Sequence, residues 1–284
     1  MKAFNKLRKL ITNSVEVINA QKAAAEKTKL GTLRAGSSGA ITKEGAHYYS
    51  GCGRLAQARF LGFERSPTAS LLTMFEGGLA LENYIEKGLI ASGSTFKKEE
   101  PVIGKVGRAI VSGRPDFDIL IEGEWVGVEV KSMASPFSAI KQVKNGFPLV
   151  KHLVQACTYL LLLKRDKWIV AVGNIFFANE RGFKVDPDVR YYEVVREDDN
   201  FIVENEKGVK ANLPFTAKDI ERYYSQLTKT TKAHKLMERP TEAELNMSTY
   251  SRCKYCPMSG ACNEIENGQI DFEQWMQKVP TSKE

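Results

Sequence analysis

A carboxylate-bearing β-hairpin in the middle of the chain constrains the fold more than any other segment. It follows Ser112-Gly113-Arg114-Pro115-Asp116 and runs from Ile119-Leu120-Ile121, through the turn Glu122-Gly123-Glu124, into Trp125–Val130. Side chains alternate along a strand, so Val126, Val128 and Val130 share one face and Glu129 and Lys131 the other. Glu-x-Lys spacing thus delivers both polar groups into one cleft.

The flanking segments set the architecture. After Pro148, residues 149–164 read as a helix, and the apolar run that starts at Trp168 is short enough for a buried strand. Tyr191–Val195 and Phe201–Val203 predict a hairpin, and Thr216–Met237 a charged helix. Strands, a helix and another strand predict an α/β fold, a mixed sheet with a helical crossover. Upstream, Ser66-Pro67 opens a helix that runs to about Gly93, Ser as N-cap and Pro at the first helical position. Gly77 and Gly78 cost that helix roughly 1 kcal/mol each against Ala. They are explained if another backbone or a substrate approaches closely. Residues 1–30 read as a helix stopped by Gly31, and residues 31–45 as a Gly-rich linker. The expected organisation is an N-terminal arm and linker, 1–45, and one main domain, 46–284.

The 284 residues can bury a full core, and 43% hydrophobic with 26% charged content is ordinary for a soluble chain. No run of eighteen apolar residues is present and no secretory leader is read at the start, so a cytoplasmic protein is expected. The formal charge of +7 suits a polyanion such as nucleic acid. Of five cysteines, Cys253, Cys256 and Cys262 fall close together, a pattern of metal ligation in a reducing compartment more than of a disulfide framework.

Asp116 and Glu129 supply the hard oxygens that Mg2+ prefers, with the backbone carbonyl of Val130 as a third donor. Lys131 would orient a nucleophilic water or stabilise a phosphate. Asp118 is a rival for Asp116 on the same strand face. Taken alone, each of these short motifs is more often the wet face of an amphipathic element than a site.

Gly113-Arg114-Pro115-Asp116 with Glu129-Val130-Lys131 resembles the core of the PD-(D/E)XK nucleases. Phe75–Glu82 resembles the first motif of the RecB-like branch, a helix bearing Gly-x-x-x-His or Gly-x-x-x-Glu; counted from Gly78, the metal-binding place falls on Glu82. Gln155-Ala156-Cys157-Thr158-Tyr159 resembles that branch's Gln-x-x-x-Tyr helix, with Gln155 and Tyr159 on one face. The resemblance spans roughly residues 50–265. It implies a restriction-endonuclease-like sheet flanked by helices. It also implies that the Gln155–Tyr159 face abuts the catalytic strand and positions DNA or Lys131.

Cys253-x2-Cys256-x5-Cys262 lacks a fourth ligand, and Cys52, within Gly51-Cys52-Gly53, is the natural candidate, with His47 as the fallback. Ligand type alone leaves zinc and an iron–sulfur cluster open. One cysteine before the first motif and a C-x2-C-x5-C group after the last resembles the iron–sulfur RecB-like nucleases, among them AddB-type subunits and CRISPR-associated exonucleases. That resemblance implies a [4Fe–4S] cluster clipping the C-terminal tail to the N-terminal half across a loop of about two hundred residues. Cys157 reads as a buried core residue and His152 as an ordinary histidine.

Lys97, Lys98, Lys105, Arg108, Arg114, Lys141, Lys144 and Lys151 flank the cleft in sequence and are candidates for phosphate contact, as Tyr48, Tyr49 and Phe137 are for base stacking. The function these readings imply is a Mg2+- or Mn2+-dependent exonuclease on DNA ends or single-stranded tails. It would act in recombination, repair, phage DNA metabolism or CRISPR spacer processing, beside a helicase, recombinase or integrase. The competing readings are a non-catalytic DNA-end adaptor and a restriction-type endonuclease.

Overall fold

The structure is a computed structural model. It describes residues 33–34, 40–43, 46–49, 52–62, 69–132, 146–174, 188–237, 256 and 258–278. In chain order the strands are β1 (Leu33–Arg34), β2 (Ala40–Lys43), β3 (Ala46–Tyr49), β4 (Phe96–Lys98), β5 (Val102–Val106), β6 (Ala109–Gly113), β7 (Phe117–Ile121), β8 (Glu124–Ser132), β9 (Lys167–Asn174), β10 (Asp188–Glu197), β11 (Asn200–Asn205) and β12 (Lys210–Asn212). The helices are α1 (Gly53–Phe60), α2 (Ala69–Ala91), α3 (Val150–Leu163), α4 (Ala217–Lys232), α5 (Ser259–Glu266) and α6 (Phe272–Gln277).

A seven-stranded sheet ordered β12-β11-β10-β9-β8-β7-β4 forms the centre. Its one parallel pairing, β8 with β9 (Glu129↔Val170, Lys131↔Val172), brackets α3, so α3 is the crossover helix. The mixed α/β architecture expected from the order of the elements is the one observed. Alternation assigns the two faces. Trp168, Val170 and Val172 join Val154, Tyr159 and Leu160 of α3 and Ile220, Tyr224 and Leu227 of α4 in one core. Ala171, Val128 and Val130 face the other way, onto Phe117 and Leu81 of α2. Glu129 and Lys131 therefore emerge on the α3 side.

Parts of the segment expected as a linker, 31–45, form strands. β1 pairs in parallel with β6 (Leu33↔Val111) in a separate three-stranded sheet with β5, and β2 and β3 form a hairpin (Ala40↔Tyr49). Strand formation there is decided by distant partners, which a Gly- and Ser-rich composition hides. The helix expected over 1–30 lies outside the described residues. The charged helix α4 begins at a capping box between Thr216 and Asp219, but ends at Lys232 and not Met237. His234 takes φ +55, and the chain then turns to meet α1.

The C-terminal helices build a satellite core: Met258, Cys262, Phe272 and Trp275 pack on Ala58 and Leu55 of α1. Gln57, wholly buried, ties α1 to the end of α4. Its Nε2 donates to Thr231 Oγ1 (3.0 Å) and the Lys235 carbonyl (2.7 Å), and its Oε1 accepts from Met237 N–H (3.0 Å).

Candidate active site

Asp116 sits where β6 hands over to β7, and its Oδ2 accepts the N–H of Val130 at 2.5 Å. This contact clamps the Asp116 loop against β8. Tyr159 supports the same loop from α3: its hydroxyl accepts the N–H of Arg114 at 3.0 Å, and its ring stacks on Trp168, centroids 4.9 Å apart. A Cβ on Gly113 would lie 2.4 Å from the Tyr159 ring, and one on Gly127 2.2 Å from the Trp168 ring. Glycine at these two places lets the rings seat against the strands.

Glu129 is 3% exposed. Its Oε1 accepts from Lys131 Nζ and from Gln155 Nε2, the latter at 2.6 Å. Its Oε2 is buried with no hydrogen-bond partner among the described residues. Gln155 thus holds the glutamate, and Tyr159 holds the backbone leading to Asp116. The Gln155–Tyr159 face abuts β8 and the Asp116 loop, and its hydrogen bonds go to Glu129 and Arg114.

Glu82 of α2 completes a convergence of carboxylates. Burial pushes it up to about 7, helped by the charges of Asp116 and Glu99 and opposed by Lys131 and Lys98. Burial, then the charge of Glu129, pushes Asp116 up to about 8. Glu129 is raised by burial against the pull of Lys131. Burial alone would lower Lys131, but Glu129, Asp116 and Glu82 outweigh it and hold the ammonium charged. Three carboxyls share one poorly solvated place with a single lysine inside it, an arrangement that a cation relieves. Among the described residues, no three His, Cys, Asp or Glu side chains are grouped to hold a metal ion as they stand; Asp116 and Glu129 are turned to protein donors. The unpartnered Glu129 Oε2 and the hard-oxygen donor set nonetheless fit Mg2+ or Mn2+.

Asp118 is accounted for by Arg165, whose two terminal nitrogens grip its carboxylate, Nη2 to Oδ2 at 2.9 Å. Asp116, in the bend between β6 and β7, is the carboxylate on which the charge of Glu129 bears. His152, a turn before Gln155 on α3, was not singled out by its sequence context. Burial, with Lys131 and Lys151 nearby, pushes its pKa well down, and its Nδ1 is buried without a partner among the described residues.

The flanking cations divide. Lys97, Lys98 and Arg114 pair with Glu100 (3.1 Å), Glu86 (2.5 Å) and Glu99 (3.5 Å). Lys105 and Arg108 are exposed on the β5–β6 hairpin, where Arg108 lines an open groove with Lys229 and Lys232 of α4. Lys141, Lys144 and Phe137 lie outside the described residues, and Tyr48 and Tyr49 fall on β3.

Away from this cleft, Cys52 precedes α1, Cys256 precedes α5 and Cys262 lies within it. Cys262 and Cys256 stand near enough for their charges to raise Cys52, after burial, which is the larger cause. Cys253 lies outside the described residues. Cys157 is wholly buried in the main core.

A family model for the PD-(D/E)XK nuclease superfamily matches residues 42–263, and the chain belongs to that superfamily. No curated protein matches it in sequence. Among solved structures, the crystal structure of SSO0001 is similar at 16% identity and a TM-score of 0.50, covering 88% of this chain and 95% of that one. An alkaline exonuclease, LHK-Exo from Laribacter hongkongensis, is 13% identical over 72% of this chain and 89% of its own, with a TM-score of 0.42. LHK-Exo in complex with dAMP is likewise 13% identical, over 72% of this chain and 94% of that one, with a TM-score of 0.44. At these identities the first likeness is one of fold, and it agrees with the mixed sheet and its helices. No described helix is long and apolar enough to cross a membrane.

Proposed function

We propose that the chain is a Mg2+- or Mn2+-dependent deoxyribonuclease that works as an exonuclease at DNA ends or single-stranded tails. The observation that carries this reading is Glu129 Oε2, a buried carboxylate oxygen without a donor among the described residues, beside Asp116 and Glu82. Leaving such an oxygen bare costs several kcal/mol unless a cation meets it. Asp116, Glu129, Glu82 and the carbonyl of Val130 would hold the ion, which when bound supplies an activated water and charge neutralisation at the phosphate. Lys131, kept protonated by its three carboxylate neighbours, donates to the non-bridging oxygens as charge builds on them. Gln155 fixes the Glu129 rotamer, and Tyr159 fixes the loop that presents Asp116.

In the same reading, Cys52, Cys253, Cys256 and Cys262 hold a [4Fe–4S] cluster. The clustering of thiols fits a reducing, cytoplasmic setting in a prokaryotic or phage-infected cell. The partner would be a helicase, recombinase or integrase that supplies ends in recombination, repair, phage DNA metabolism or spacer processing.

The test is anaerobic incubation with end-labelled single-stranded DNA, with and without Mg2+ or Mn2+, beside Glu129→Ala. Metal-dependent shortening that the variant lacks is expected. DNA that shifts on a gel but stays intact would replace this reading with a DNA-end adaptor.

A further inference from the structure

A basic groove opens where two elements far apart in the chain meet. The turn between β5 and β6 brings Arg108 against the last two turns of α4, and the groove between them is lined by Arg108, Ser225, Thr228, Lys229, Lys232 and Ala233. Ser225, Thr228, Lys229 and Lys232 fall at i, i+3, i+4 and i+7, on one face of the helix. The meeting is fixed. Arg108 N–H donates to Ser225 Oγ at 3.0 Å. Gly107 takes φ +58, and a Cβ there would lie 2.6 Å from Ser225 Oγ and 2.7 Å from the Glu221 carbonyl oxygen. Only glycine lets the turn sit this close. On either side of it, Val106 and Ala109 join Tyr224 and Leu227 of α4 in the main core.

Arg108, Lys229 and Lys232 are exposed, and none of their side chains makes an ion pair among the described residues. Lys97, Lys98, Lys210 and Lys218, by contrast, each have a carboxylate oxygen within 3.4 Å. No carboxylate is among the described residues that line the groove. Lysines in the last turn of a helix offset its negative end. That accounts for Lys229 and Lys232 but not for an arginine brought there by a different element. Three cations and two hydroxyls on a fixed frame match a run of phosphodiesters. Arg108 stands five residues along β6 from Gly113, which lies under the Tyr159 ring beside the cleft, about 16 Å away at the rise of a strand. A DNA strand covers that span in roughly five nucleotides at about 3.4 Å each.

We propose that this groove is a second contact for the DNA backbone, gripping phosphates about five or more nucleotides from the one held in the cleft. The inference rests on the deoxyribonuclease reading above and adds to it the place where the uncut part of the strand is held.

The experiment measures binding of a single-stranded DNA of about twenty nucleotides across a salt series, with divalent metal removed so that the strand stays whole. It compares wild-type protein with a variant carrying Arg108→Gln, Lys229→Gln and Lys232→Gln. A control variant carries Lys207→Gln, Lys210→Gln and Lys218→Gln, which removes the same net charge elsewhere. Each phosphate contact on a single strand contributes about 0.7 to the slope of log K against log salt, so the groove variant is expected to lose about 2 from that slope and roughly tenfold or more in affinity at 0.1 M salt. The control is expected to keep the wild-type slope. A groove variant with the slope and affinity of the control overturns the proposal. Should the triple variant fold poorly, Arg108→Gln and Lys229→Gln are read singly, each expected to lose about 0.7 of slope, and unchanged slopes in both overturn it. Wild-type protein that leaves the strand unbound at every salt concentration overturns the DNA reading itself, before any variant is made.

Discussion

At the scale of single residues, the cleft gathers carboxyls whose burial raises their pKa values. Glu82 and Asp116 have folded-state pKa values of about 7 and about 8, both above the unfolded carboxyl range near 4. The folded state therefore keeps protons that the unfolded chain releases. The stability these groups contribute is fully present below about pH 4 and is lost as pH rises through 7 to 8. Metal-free protein should accordingly lose thermal stability over that window, and Mg2+ or Mn2+ should raise Tm more at pH 8 than at pH 5.5. Equal metal shifts at the two pH values would contradict this. Asp116→Asn should abolish cleavage, by about a thousandfold or more, while stabilising metal-free protein at pH 8, with roughly 2–4 °C in Tm for each kcal/mol recovered. Tyr159→Phe removes the acceptor for Arg114 N–H and the hydroxyl's contact with Gln155, and should lower kcat by about tenfold, with DNA binding unchanged in a filter-binding assay.

At the scale of elements, glycines divide by what surrounds them. Gly113→Ala and Gly127→Ala each drive a Cβ into an aromatic ring, at 2.4 Å and 2.2 Å. Each should cost about 1–3 kcal/mol or more in urea unfolding, because neither ring can retreat from the core. Gly88, exposed in the last turn of α2, has nothing among the described residues within 4 Å of its would-be Cβ, and Gly88→Ala should stabilise by about 0.5–1 kcal/mol. Gly78 is the instructive case. A Cβ there would meet Ser132 Oγ at 3.6 Å, an ordinary contact, so packing among the described residues does not demand glycine at this point of the helix. Its loss of helix propensity was readable from the amino-acid order, but the close protein approach that would have explained it is not what the structure shows.

At the scale of the whole molecule, α1 is the hub that joins the tail to the nuclease core. Gln57 spends both ends of its amide on the chain just after α4, and Arg54 reaches Met237 and Glu266. Gln57→Ala leaves the Met237 N–H buried without its acceptor and should destabilise by about 1–3 kcal/mol, read as a lower urea midpoint at unchanged slope. The tail meets α1 through apolar packing among Leu55, Ala58, Met258 and Trp275.

Periodicity was sufficient for everything that depends on neighbours in the chain. The alternation in β8 put Glu129 and Lys131 on one face, the helical repeat put Gln155 and Tyr159 on another, and the order of elements required a parallel crossover. Pairings between distant residues were beyond it. Arg165 grips Asp118 from 47 positions away, β1 becomes a strand only against β6, and Gln57 meets Thr231 from 174 positions away. Those are choices among many chemically equivalent partners, and only packing selects one. The amino-acid order by itself determined which groups could do chemistry and on which elements they ride. The tertiary structure decided which of them lose their water together, and it is that shared loss of solvent that raises the pKa values of Glu82, Asp116 and Glu129 and leaves Glu129 Oε2 without a donor among the described residues.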